Sequence, residues 1–359
     1  MIFRNIKKSI VLLFTILLIL FNAGCTNKKI SSTYDVISNS SPNVSKEINI
    51  FFIDVGQGDS TLITTPNGKN ILVDSGPGIS AYTLVAFLKS YNIKTIDYLV
   101  STHPHEDHIG GMVDVLNNFH VKNILDPAYA HTSYTYEKYL EQAYELDIPF
   151  NSVRTGDKFS LDGVELKVLW PLSVPDEVED INEISIVLQV TYENFSLLLT
   201  GDIGIETESA MYKQGLLEKT DVLKVAHHGS KGSTSSNFIK AIDPDIAVIS
   251  VGTENPYGHP TQKTLNALKN VAYLYRTDLD GTVQIISDGI KTKIILEKET
   301  TQIQDQNNSS VYYGNLNSHL FHLETCNSVF QAKQSNLIQF DSKKSALDAG
   351  YEPCKGCNP

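Results

Sequence analysis

Three histidines and an aspartate crowd one short stretch, STHPHEDHIGG at residues 101–111, where His103, His105, Asp107 and His108 follow the apolar run IDYLV. Imidazole and carboxylate are the ligands of zinc and similar divalent ions. In an extended loop alternate residues point the same way, so His103 and His105 can serve one ion; Asp107 and His108, displaced by a turn, can serve a second. A single histidine here would read as a surface residue beside a helix cap, but the full His-x-His-x-Asp-His pattern followed by Gly-Gly points to two neighbouring metals. Two ions about 3.5–4 Å apart can activate water and stabilise the charge that builds on phosphoryl oxygens during in-line displacement.

Further groups of the same chemistry lie downstream. FSLLLTGD ends an apolar run at Asp202, which could equally cap the helix IETESAMYKQG. LKVAHHGSKGSTSS presents Lys224, His227 and His228 at another strand end, and SVGTENPYGHP places His259 before a helix expected to start at Pro260. Near the C-terminus His322 and Cys326 are spaced His-x3-Cys, and Cys354 and Cys357 are spaced Cys-x2-Cys. That is ligand spacing for a closed tetrahedral zinc site. A disulfide would use two of these three thiols and leave one odd, an alternative that oxidising surroundings keep open. A tail of fewer than about fifty residues buries little apolar surface, so a metal staple makes physical sense.

The elements that must position these groups alternate in type. INIFFIDV, STLITT and NILVD read as strands separated by GQGD and by the Asn-Gly turn PNGK. ISAYTLVAFLKSYN has helical spacing and leads to TIDYLVST; the cluster at 103–108 then sits on a strand-to-helix loop, with the helix expected in GGMVDVLNNF. VELKVLW, SIVLQVTY, FSLLLTGD, VLKVAHH, IAVISVG, VQIISDG and TKIILE continue as strands, several with helices between them. Direct hairpins mixed with helical crossovers indicate an α/β protein with two sheets covered by helices.

In the pattern at 103–108 the sequence resembles the metallo-β-lactamase superfamily, whose fold is a four-layer αββα sandwich with its metal site at the sheet edges. DVGQGDS, LVDSGPG, LLLTGD and HHGS resemble the branch containing the soluble domain of ComEC-type competence channels. The resemblance implies that Asp202 bridges both metals, that His228 binds the second metal with His227 on substrate phosphate or in proton transfer (an order that could be reversed), and that His259 contacts the leaving group. It also implies that Asn182 of INEISIVLQV stands where many members carry a further histidine, since His120 and His131 are not at a late strand end. An amide oxygen suits harder ions, so manganese or magnesium competes with zinc there. The implied reaction is phosphodiester hydrolysis, with Asp107 or water at the metals handling protons and DNA or RNA favoured over β-lactams. Residues 312–359 resemble the Ada-type zinc-binding domain, with His322 in place of its first cysteine, implying structural zinc and DNA contact.

At 359 residues and 41% hydrophobic content the chain can hold one large domain and something small. Residues 1–24 read as a targeting segment: Arg4, Lys7 and Lys8 precede the apolar run IVLLFTILLILF. FNAGC resembles a bacterial lipobox that would lipidate Cys25, although Asn22 departs from the usual aliphatic residue and leaves secretion or an uncleaved anchor open. Residues 25–46 read as a flexible tether, 47–298 as the hydrolase domain and 299–311 as a linker. The formal charge is −12, from 29 basic and 41 acidic residues; losing the leader's three bases and no acid makes it −15. A surface that acidic does not hold polyanions through its general field, so a phosphate substrate needs a local positive centre. Three functions fit: a lipid-anchored extracytoplasmic nuclease, with single-stranded DNA slightly favoured as partner; an esterase acting on phosphorylcholine or teichoic acid; and a non-catalytic nucleic-acid-binding lipoprotein.

Overall fold

The computed structural model describes residues 46–298, 312–323, 326–340, 343–354 and 357. The leader, Cys25 with its tether to residue 45, and the linker at 299–311 lie outside them. The first strands form an antiparallel meander: β1 (Ile48–Phe52), β2 (Thr61–Thr64) and β3 (Asn70–Val73). The expected Asn-Gly turn joins β2 to β3, with the Gly68 N–H donating to Thr65 O at 2.9 Å. After the helix α1 (Ala81–Ser90) the chain returns as β4 (Tyr98–Val100), parallel to β3, within an eight-stranded sheet. A seven-stranded sheet holds β5 (Val187–Tyr192) antiparallel to β6 (Phe195–Leu199), followed by β7 (Val222–Lys224) and β8 (Ile246–Ile249), all parallel to β6.

Strand periodicity builds four layers from these two sheets. Along β1, Ile48, Ile50 and Phe52 enter a core shared with Phe195, Leu197 and Leu199 of β6, while Phe51 turns to the other face and packs with Leu84 and Leu88 of α1. Likewise Leu223, Ala247 and Ile249 of β7 and β8 face away from the shared core and pack beneath Phe238 and Ile242. Because each face is buried against something, these strands read as continuous apolar runs rather than as alternating ones. Sheets face each other at the centre and helices cover the outside, the αββα sandwich expected from the sequence.

The order of the strands brings all the reactive segments to one edge. The carboxyl ends of β3, β4, β6, β7 and β8 are where open α/β sheets bind ligands. The segments that follow them carry Asp74, His103, Asp202, His228 and Ser250. Antiparallel β2 and β5 begin at that edge, which brings in Asp59 and Asn182 just before them.

Two helix starts differ from expectation. The cluster is not wholly on a loop: Asp107 and His108 lie in a one-turn helix, α2 (Glu106–Ile109), and the helix α3 (Met112–Asn118) starts after it. Glu106 and Asp107 suit the first turn of a helix, where the backbone dipole favours acids. Gly110 and Gly111 are contact points between elements and not a loop: a Cβ on Gly110 would lie 2.2 Å from Gly78 N, and one on Gly111 2.6 Å from Ser75 O. Downstream, the helix after His259, α4 (Gln262–Ala267), starts later than Pro260 because Thr261 supplies the capping oxygen, accepting from Thr264 N–H. The overpacking that a Cβ at Gly110 would cause costs about 1–3 kcal/mol. Gly110→Ala should therefore lower stability by at least that much in urea unfolding; an unchanged midpoint would show that the junction yields without strain.

Candidate metal centre

Asp74, directly after β3, organises the site. It adopts left-handed backbone geometry (φ 59°), and its carboxylate accepts from Thr102 N–H and Thr102 Oγ1, both at 2.8 Å. Its Oδ2 also lies 2.7 Å from His108 Nδ1. That contact fixes the imidazole so that Nε2 turns to Asp202 Oδ2, 3.3 Å away. His228 is oriented the same way: Nδ1 meets Ser250 O at 2.9 Å, and Nε2 lies 3.1 Å from Asp107 Oδ2 and 3.6 Å from Asp202 Oδ2. His103 repeats the arrangement, with Nδ1 3.1 Å from Thr102 Oγ1 and Nε2 2.9 Å from His105 Nδ1. Three rings are thus held by one nitrogen and present the other inward, the usual outer-shell geometry of metal-binding histidines.

The segment AHHG does not continue β7 as a strand. His227 (φ 51°) and His228 (φ 50°) are both left-handed, a conformation that costs free energy in non-glycine residues and concentrates at functional sites. Alternation therefore does not set their directions. His228 is buried among the acids, while His227, with a side chain 31% exposed, lies at the rim with Nε2 3.8 Å from Asp202 Oδ2. Glu208 anchors the loop by accepting from Thr234 N–H and Ser235 N–H. Asp202 does not cap the following helix, whose N-cap is Gly204; the Asp202 N–H donates instead to Ser185 Oγ at 3.2 Å.

One ligand atom from each of Asp107, His108, Asp202 and His228 falls within 4.8 Å of the others. Asn182 is buried on the turn before β5, on the side of the site that carries His105 and favouring that ring's charged form. His120 is exposed, and His131 engages Ser133. His259 lies at the rim, its ring 5.9 Å from that of His227.

The electrostatics show what this cluster attracts. Burial disfavours charge on every member, yet His108 and Lys224 and His228 between them hold Asp202 well below the usual carboxylate range and Asp59 at about 2. Burial likewise opposes the charging of His228, but Asp202 and Asp59 raise it to about 10; Asp202 and Asp74 carry His108 well above its ordinary value. Against this trend, burial and the neighbouring His108 push His103 down. The carboxylates thus draw positive charge into a buried space. Among the described residues, Asp59 Oδ1, His108 Nε2, Asn182 Oδ1 and Asp202 Oδ1 are buried without a hydrogen-bond partner. Open carboxylate and amide oxygens, with imidazole nitrogens beside them in a field that favours cations, fit divalent metal ions.

The tail forms its own four-stranded sheet and small core around Phe321, Phe340 and Tyr351. His322, Cys326, Cys354 and Cys357 place their ligand atoms within 4.8 Å of one another. Cys326 Sγ lies 3.4 Å and Cys357 Sγ 4.0 Å from His322 Nδ1, close to the separation of about 3.5–3.8 Å between ligands on a tetrahedral zinc. No disulfide joins Cys326, Cys354 or Cys357 among the described residues.

A model of the metallo-beta-lactamase superfamily matches residues 53–253. The chain belongs to the metallo-β-lactamase superfamily. Residues 298–359 match the metal binding domain of Ada, so this superfamily member carries an Ada-like zinc-binding domain behind its hydrolase domain. Among its relatives, "ComE operon protein 3" of Bacillus subtilis is 35% identical over 261 residues, covering 68% of this chain and 33% of that protein. "Competence protein ComA" of Neisseria gonorrhoeae is 33% identical over 236 residues, 64% of this chain and 31% of that protein. The chain spans about a third of the length of these relatives. Among solved structures it is similar to Igni18, a metallo hydrolase from Ignicoccus hospitalis, with a TM-score of 0.44 and 18% identity over 66% of this chain and 98% of that one.

Asp59, Asp74 and Lys224 are the members of the site that sequence reasoning left without a role. DVGQGDS and LVDSGPG entered there through their resemblance to the competence-channel branch, with no role for their acids; the signal was an acid at an apolar strand end in each. Lys224 (2% exposed) donates to the Asp59 carboxylate (4% exposed), a buried ion pair beneath His228, whose Nδ1 lies 3.5 Å from Asp59 Oδ1. Removing one partner of such a pair costs about 3–5 kcal/mol, because the other charge stays buried. Lys224→Met should therefore lose about that much in urea unfolding, and Asp59→Asn in the same chain should recover most of it; equal losses in the single and double variants would contradict the pairing.

Proposed function

We propose that the chain is a two-metal phosphodiesterase acting on nucleic acid, tethered outside the cell membrane through lipidated Cys25. The observation that carries the reading is Asp202: its Oδ2 lies 3.3–3.8 Å from a nitrogen of each of His108, His227 and His228, while its Oδ1 is buried and unpartnered. A carboxylate so placed can serve two ions at once. His103, His105 and Asn182 would hold one ion, and Asp107, His108 and His228 the other. Bound divalent ions lower the pKa of water and neutralise charge developing on phosphoryl oxygens. Manganese or zinc suits the mixed set, since an amide and carboxylates sit beside imidazoles. In the tail, the Cys3His set favours a structural zinc.

The chain's own groups do the rest. Asp107, although burial opposes its charge, is held at about 2 by the hydrogen bond from His228 and by His108, so it remains ionised as a ligand oxygen. Proton transfer at the rim falls to His227 and His259. Burial, His228 and His227 lower His259, leaving its imidazole neutral and able to accept and pass on a proton. The similarity to a relative named for competence supports nucleic acid as the substrate class. The leader and the FNAGC segment support export and anchoring.

A panel of single-stranded DNA, RNA, bis-p-nitrophenyl phosphate and p-nitrophenyl phosphorylcholine, assayed with manganese and with zinc, separates the possibilities. Cleavage of the phosphodiesters is expected. Asp202→Asn should lower kcat/KM by more than the roughly hundredfold upper end of outer-shell mutations. Hydrolysis confined to the choline ester would sink the nuclease reading in favour of a surface esterase, and no hydrolysis with any substrate would favour a binding protein.

A further inference from the structure

A chain of stacked rings leads from the metal centre to the surface. His227, whose Nε2 is 3.8 Å from Asp202, meets His259 edge-on at 5.9 Å, and His259 in turn stacks on Tyr257 at 5.7 Å with an interplanar angle of 26°. Tyr257 is 66% exposed, so its ring is backed by His259 and open to solvent.

The segment that carries it is pinned. Asn255 Nδ2 donates to Gly252 O at 3.1 Å and to His259 O at 2.7 Å, and its Oδ1 accepts from His259 N–H at 3.0 Å. Gly252 N–H donates to Gln57 Oε1 at 3.1 Å, and a Cβ there would meet Gln57 N at 2.6 Å. An aromatic ring held this way loses little freedom when it binds a partner.

Two exposed lysines border the same loops. Lys263, in the first turn of α4, donates to the backbone oxygen of Lys231 at 2.9 Å, and Lys231 directly follows HHGS. Thr264 Oγ1 donates to Ser230 O at 2.8 Å and Thr261 N–H to Gly229 O at 2.9 Å, which fixes α4 against the His227 loop. On a chain with a formal charge of −12, two exposed lysines on the loops that flank His227 and His259 form a local exception.

Single-stranded nucleic acid offers the matching alternation of π-face and anion, and proteins bind it through aromatic platforms beside basic groups. A duplex keeps its bases stacked on one another and leaves none for the ring. Resting on the phosphodiesterase reading, we propose that Tyr257, backed by His259, is the stacking platform for an unpaired base of the substrate strand, with Lys231 and Lys263 on neighbouring phosphates. Tyr257 is then a specificity-determining residue that selects single strands.

Binding tests this separately from cleavage. Fluorescence anisotropy would compare a labelled phosphorothioate oligothymidylate, which resists hydrolysis, with its abasic counterpart. The wild-type chain should bind the base-bearing strand about tenfold more tightly. Tyr257→Ala should abolish that difference and Tyr257→Phe should retain it. Lys231→Ala and Lys263→Ala should weaken both strands alike, each lowering the salt slope by about 0.7. Equal affinity of the wild-type chain for the two strands would overturn the proposal, as would undiminished discrimination by Tyr257→Ala. Tyr257-dependent discrimination in a protein that cleaves no phosphodiester would uphold the platform while the phosphodiesterase reading fell.

Discussion

The structure turns on the convergence of Asp59, Asp74, Asp107 and Asp202 on one buried space beside a single lysine of the cluster, Lys224. Carboxylates taken out of water repel one another and are costly unless cations answer them. Here the answer is graded. Lys224 neutralises Asp59 from below, His108 and His228 are drawn towards their charged forms, and open acceptor oxygens remain on Asp59, Asn182 and Asp202. A divalent ion satisfies such a cluster more fully than protons do, because it accepts several ligands at once.

Holding like charges together requires a rigid frame, and the two sheets supply it. Asp74, His103, Asp202 and His228 follow strands whose interiors are closed on both faces, Asp59 precedes one, and Asp107 and His108 sit on the one-turn helix α2 beside them, so the site inherits its positions from the core and not from loop chemistry alone. Left-handed geometry at Asp74, His227 and His228 is tolerable for the same reason: backbone hydrogen bonds from Asp74 N–H to Val100 O, from His227 N–H to Gly201 O and from Ser230 N–H to His227 O tie these residues to the packed strands. The cost in local strain falls where the chemistry is.

Much of this was legible in the sequence, and the failures have physical causes. The layered sheets followed from apolar strands joined by both hairpins and helical crossovers, and His103, Asp107, His108, Asp202 and His228 stood out by residue type. Short strands such as Lys158–Leu161 and Tyr273–Arg276 were missed because polar and half-exposed residues blur their periodicity. Asp59 and Asp74 were hidden because an acid beside glycine looks the same in a turn and in a metal site; only the three-dimensional approach of β2 and β3 to β4 separates the two. The directions of His227 and His228 depended on backbone angles that strand alternation does not encode.

The tail makes a useful internal contrast. Its four candidate ligands were readable from spacing alone, since a closed tetrahedral site needs only the right residues at the right separations, whereas the hydrolase centre gathers its candidate ligands from four segments and needs the whole sandwich. The most direct test of the account is anomalous diffraction from crystals of the full chain grown with manganese and zinc. Two peaks in the hydrolase domain, both in contact with Asp202, and a third among His322, Cys326, Cys354 and Cys357 are expected. Density in the tail with none touching Asp202 would contradict the central claim.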